Sequence, residues 1–217
     1  VYDEGNDINF TAGINVSRSN LLLDGNGYSI DGNGKARIFN IIGNNVTLKN
    51  LIIKNALNGA VSFVQPNAEY YLDNVTIQNS SSKYSYGGIE LNATNLLVNN
   101  SKFISNTGTK SSDIFFNEKC NVTVVNSTFE GGIESKWSHI YFSGGALIVD
   151  GSTFANSRSS YANAIYGEDG RVTVRNTKFR NLTVLNSAGA IGVKYAVNLT
   201  VEDCEFTNIT SGKDGGV

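Results

Sequence analysis

Apolar residues recur along this chain at a beat of about 25 positions. Ile30, Ile53, Ile77, Phe103, Phe129, Phe154, Phe179 and Phe206 follow one another in steps of 23 to 27 residues. Three positions before each stands a turn-former: Gly27, Asn50, Asn74, Asn100, Asn126, Gly151, Asn176 and Asp203. Two more registers keep the same beat. One is Leu48, Leu72, Val98, Val124, Val149, Val174 and Val201. The other is Ile38, Val61, Ile89, Ile114, Ile140, Ile165, Ile191 and Val217. A fixed period of this size predicts stacked copies of one small unit.

Within each unit the pattern alternates with period 2. Val122-Thr123-Val124, Val172-Thr173-Val174 and Ile89-Glu90-Leu91 are apolar, polar, apolar, which predicts short strands. Asn, Gly, Asp and Ser fill the gaps, as turns require. No stretch carries a helical period. Three short strands and three turns use up about 25 residues, one coil of a parallel β-helix. The expected fold is therefore all-β: a single-stranded parallel β-helix of about eight coils. The handedness of parallel crossovers predicts a right-handed winding, with coils about 4.8 Å apart. The phenylalanines should then form one buried column. Asn50, Asn74, Asn100, Asn126 and Asn176 recur at one turn, where stacked amides can bond along the axis as a ladder.

The whole chain, residues 1–217, is expected to be one domain, with 1–19 as entry or cap and 20–217 as coils. Its last residues, Gly215-Gly216-Val217, open another repeat, which suggests a piece of a longer repeat protein. Net charge is −2 and charged residues are 17%. No basic stripe is present, so composition makes no case for nucleic acid. No apolar run is long enough to span a membrane. Cys120 and Cys204 lie three coils apart and should not pair. Several N-x-[ST] sequons arise because a turn Asn precedes a Val-Thr strand; exposed ones could carry glycan in a secreted protein.

The acids are scattered rather than repeated in phase. Asp24, Asn26, Asp31 and Asn33 could offer oxygens to calcium, but Asp-Gly and Asn-Gly turns explain them equally. No metal or cofactor is expected. His139 precedes the inward Ile140 and should face solvent. The residues after the inward Ile or Val of that strand are Ser62, Glu90, Phe115, Tyr141, Tyr166 and Gly192. They predict an outward column in which Phe115, Tyr141 and Tyr166 follow on successive coils. Trp137 and His139 lie just before Tyr141. A ring column on the surface can stack on sugar faces or accept a partner's side chains, can be covered by another segment, or can simply stabilise the sheet.

Gly87-Gly88-Ile89, Gly144-Gly145-Ala146-Leu147, Ala188-Gly189-Ala190-Ile191 and Gly215-Gly216-Val217 are similar to the GGA[ILV] motif of polymorphic membrane protein repeats. Phe103-Ile104-Ser105-Asn106 matches the companion FxxN motif, whereas Phe179-Arg180-Asn181 and Phe206-Thr207-Asn208 have FxN. Asp24-Gly25-Asn26-Gly27-Tyr28-Ser29-Ile30-Asp31-Gly32 looks like the first coils of right-handed β-helices of the pectate-lyase-like superfamily. With its abundant Asn, the chain most resembles adhesin-like surface proteins of methanogenic archaea. That resemblance implies an extracellular, monomeric, non-catalytic segment for adhesion to glycan or protein on another cell. The alternatives are a polysaccharide lyase or hydrolase and a purely structural spacer.

Overall fold

A computed structural model describes residues 13–213, apart from 93, 136–137, 162–163 and 188. The expected entry segment lies mostly outside the described residues, as do residues 214–217 with Val217. Among the described residues the chain is a parallel β-solenoid of about seven turns, without helix. Twenty-one strands join into one continuous hydrogen-bonded sheet wound around the axis.

The registers follow the sequence beat. Ile30 pairs with Ile53, Ile53 with Ile77, and Ile77 with Phe103. Phe103, Phe129, Phe154, Phe179 and Phe206 then stack with ring centroids 4.6–5.3 Å apart and planes within 9° of parallel. Offset stacking of this kind contributes about 0.5–1.5 kcal/mol per pair beyond area burial. The Leu48-to-Val201 file is likewise in register. One expected register needs correction. Val61 pairs with Phe39, not Ile38. Both Ile38 and Phe39 are buried, because two consecutive residues face inward where the chain turns into this strand.

All eight turn-formers before the Ile/Phe column have positive φ, from 48° at Asn100 to 83° at Gly27. Asn, Asp and Gly tolerate this left-handed backbone, which explains the restriction to those types. Just after this turn runs a row of buried hydroxyls. Ser101 Oγ accepts the Val75 N–H, Ser127 Oγ that of Ser101, Ser152 Oγ that of Ser127 and Thr177 Oγ1 that of Ser152. Each hydroxyl donates to the carbonyl two residues before it. Cys204 continues the row, its thiol donating to the Glu202 carbonyl at 3.1 Å. Both cysteines are free.

A second ring pair, Phe116 over Phe142, fills the neighbouring interior file with centroids 5.0 Å apart. Gly167 follows in that file. A Cβ on Gly167 would lie 2.2 Å from the Phe142 ring, so the missing side chain is a packing requirement.

Candidate functional site

The strands Ile89–Leu91, Ile114–Asn117, Ile140–Ser143, Ile165–Arg175 and Ile191–Glu202 lie side by side in parallel. Their register puts Ser62, Glu90, Phe115, Tyr141, Tyr166 and Gly192 in one row. The side chains of Phe115, Tyr141 and Tyr166 are half-buried. Their rings lie face to face along the axis, Phe115–Tyr141 at 5.5 Å and Tyr141–Tyr166 at 5.8 Å, tilted by 31° and 34°. Neighbouring rings therefore partly cover one another's faces, and the row ends at Tyr166, beyond which stands Gly192.

The row has a foot that periodicity did not reveal. Tyr86, in the corner before Gly87-Gly88, is buried and lies parallel to Phe115 at 6.4 Å. Its hydroxyl accepts from Arg37 Nη2 at 2.6 Å and donates to the Glu90 carboxylate. Arg37 also bonds the Asn58 carbonyl and Asn40. Burial first, then the Glu90 hydrogen bond, pushes the Tyr86 hydroxyl far above its ordinary range. At the other end, Tyr141 and Tyr166 both donate to Glu168, at 3.2 and 3.5 Å. Burial, then the Glu168 charge, pushes Tyr141 up to about 12. Lys110 sits over the Phe115 ring at 5.1 Å, and the exposed Lys194 lies near Glu168. The row is thus a neutral ring stack framed by Arg37–Glu90 below and Glu168–Lys194 above. Glu90 and Glu168 are three coils apart, roughly 14 Å at strand spacing. Trp137 lies outside the described residues.

His139 is not on this surface. It is 2% exposed, inside the solenoid. The expectation of an outward His carried strand alternation into Ser138-His139, which is a corner. There the residue before each inward Ile also faces in: Ala60, Gly88, Asp113, His139, Ala164 and Ala190 are all buried. This file begins with the buried Ile38 beside Ala60. It holds alanine or glycine on the later described coils except two in succession, which place Asp113 under His139. His139 Nδ1 meets the Asp113 carboxylate, and Nε2 lies 2.9 Å from Ser157 Oγ. Asn106 Nδ2 donates to the other Asp113 oxygen at 2.9 Å, and Ser112 Oγ to the first at 3.2 Å. Gly132 packs beside this site with a left-handed backbone, φ 83°, which favours glycine there. Carboxylate, imidazole and hydroxyl form a relay, but Ser157 is 6% exposed and its hydroxyl faces the packed interior.

The turn asparagines divide. Asn74 donates to Asn50 at 2.9 Å, Asn50 to Asp24 at 3.1 Å, and Asn176 to Asp150 at 2.8 Å. Among the described residues, Asn100 and Asn126 join no amide-to-amide bond, although they share the left-handed backbone. Gly151 breaks this row between Asn126 and Asn176. A longer ladder runs elsewhere, from Asn208 to Asn181 to Asn156 to Glu130. Others run from Asn121 to Asn95 to Glu69 and from Asn99 to Asp73. In each, a later coil donates to an earlier one, and the foot is a carboxylate, which only accepts when ionised. Asp24 also accepts the Asn26 N–H, and Asp31 that of Asn33, so both act as turn carboxylates.

No family model, no curated protein and no solved structure matches the chain. Among the described residues, no helix is long and apolar enough to cross a membrane.

Proposed function

We propose that this chain is a non-catalytic segment of a cell-surface β-solenoid protein, presenting a rigid lateral face that binds glycan or protein on another cell. The observation that carries this reading is the continuous row Tyr86–Phe115–Tyr141–Tyr166, held at fixed spacing by strands in register. Partly exposed aromatic surface with polar handles at its ends is typical of recognition surfaces. Because neighbouring ring faces partly cover one another, a ligand would meet ring edges, the far face of Tyr166 and the polar end at Glu168. The polysaccharide-cleaving alternative gains no support from Glu90 and Glu168, since paired catalytic carboxyls need separations of about 5–9.5 Å. A purely structural spacer is the second reading, favoured by the same self-stacking of the rings. A glycan array probed with this chain and with Tyr141→Ala and Tyr166→Ala variants tests the proposal. Binding that both variants lose supports the lateral face. No binding by the parent chain leaves the spacer ahead.

A further inference from the structure

We propose that a shallow cleft on the outer face of the phenylalanine sheet binds short free peptides by their two charged ends. This site shares no residue with the lateral ring row, so either reading can fail without the other. The strands Thr128–Glu130, Thr153–Ser159 and Lys178–Val184 form its floor, and its volume is about 330 Å³. In their register Glu130, Ala155 and Arg180 follow one another on successive coils. Ala155 is the short member between two long charged ones. It leaves a gap with a carboxylate at one end and a guanidinium at the other.

The charges at the ends are available. Arg180 is exposed and, among the described residues, makes no ion pair. Its neighbour Lys178 is turned to Glu205, 3.8 Å away. Glu130 spends Oε1 on Asn156 at 2.8 Å, which leaves Oε2 for a ligand. Glu130 and Arg180 are two coils apart, roughly 10 Å along the axis. Three extended residues span at most about 10 Å. A tripeptide laid along the axis would bring its ammonium to Glu130 and its carboxylate to Arg180, which suits bidentate carboxylate binding. The wall between the ends is made of Asn156 and Asn181. Each amide has two N–H groups and an acceptor oxygen with two lone pairs. The ladder takes one N–H from each, so donor and acceptor capacity remains for the peptide's own amides.

Triglycine is the probe, added to ¹⁵N-labelled protein and followed by amide shifts. The expected result is saturable movement of the amides of residues 128–130, 153–156 and 180–181. Triglycine amide and N-acetyl-triglycine, each lacking one end charge, should bind at least about tenfold more weakly, the worth of one charge-assisted hydrogen bond. Arg180→Ala should weaken triglycine by the same factor. Ala155→Leu, which fills the gap from an outward position, should abolish binding, while Tyr141→Ala should leave it intact. The proposal is overturned if triglycine gives no saturable shift, if the blocked peptides bind as well as the free one, or if Arg180→Ala binds like the parent. Arg180 is a surface residue, so its variant tests the site even if Ala155→Leu misfolds.

Discussion

His139 stands on Asp113 across one coil spacing inside the solenoid, imidazole nitrogen against carboxylate, in a file whose other described members are apolar or glycine. Asp113 also receives Asn106 and Ser112, so one carboxylate satisfies three buried donors. Breaking a buried pair by deleting one partner costs about 3–5 kcal/mol. Asp113→Ala is expected to lose that much in urea unfolding. Asp113→Ala combined with His139→Ala should lose clearly less than the sum of the two single changes, because the residues share one network. Additive losses would show that the contact contributes nothing of its own.

The phenylalanine column makes a graded prediction. Phe129→Ala removes a fully buried ring from between Phe103 and Phe154 and should cost about 3–5 kcal/mol. Phe206, half-buried with a ring partner on one side in Phe179, should cost markedly less when truncated. Equal losses would contradict the column as the principal core.

Gly167→Ala should destabilise the chain by about 1–3 kcal/mol, because the new methyl meets the Phe142 ring. Phe142→Leu in the same chain should recover part of that loss. If Gly167→Ala melts like the parent, the steric account of this glycine is wrong.

The carboxylate feet of the ladders set a pH dependence. The Asn176 amide, then Arg175, holds the Asp150 carboxyl below its ordinary value of 3.8. The Asn26 N–H, then the Asn50 amide, does the same for Asp24. A carboxyl held low in the folded chain contributes stability that is fully present above the unfolded value. That contribution disappears as pH falls through the folded value. The urea midpoint should therefore fall below about pH 4. Asp150→Asn keeps an acceptor oxygen for Asn176 but cannot titrate, so its acid decline should be shallower. An unchanged decline would remove Asp150 from the account.

The buried hydroxyl row predicts an asymmetry between Ser127 and Cys204. Ser127→Ala leaves the buried Ser101 N–H without its acceptor and should cost about 1–3 kcal/mol. Cys204→Ser restores the residue type used lower in the row and should be close to neutral in thermal melts.

Stacking was legible in the sequence because like residues fall on like positions: Phe129 over Phe103 needs only a period and an inward phase. The Ser62-to-Gly192 row followed from the same alternation. What escaped lay at corners, where the two-residue rule stops. His139 and Phe39 both face inward beside another inward residue. Tyr86 joins the ring row from a turn, outside any periodic register. The carboxylate feet were hidden for another reason. Asp150 and Glu130 differ in type from the asparagines above them, so a search for repeated Asn passes over them.

Because each coil offers its neighbours nearly the same contacts, a rod of this kind could lengthen or shorten by whole coils without disturbing those on either side. Asp113 and His139 break that interchangeability. Removing the coil that carries either one would leave the other buried without its ring-to-carboxylate partner. This joint therefore gives the rod a fixed address along its length, against which every other position can be counted.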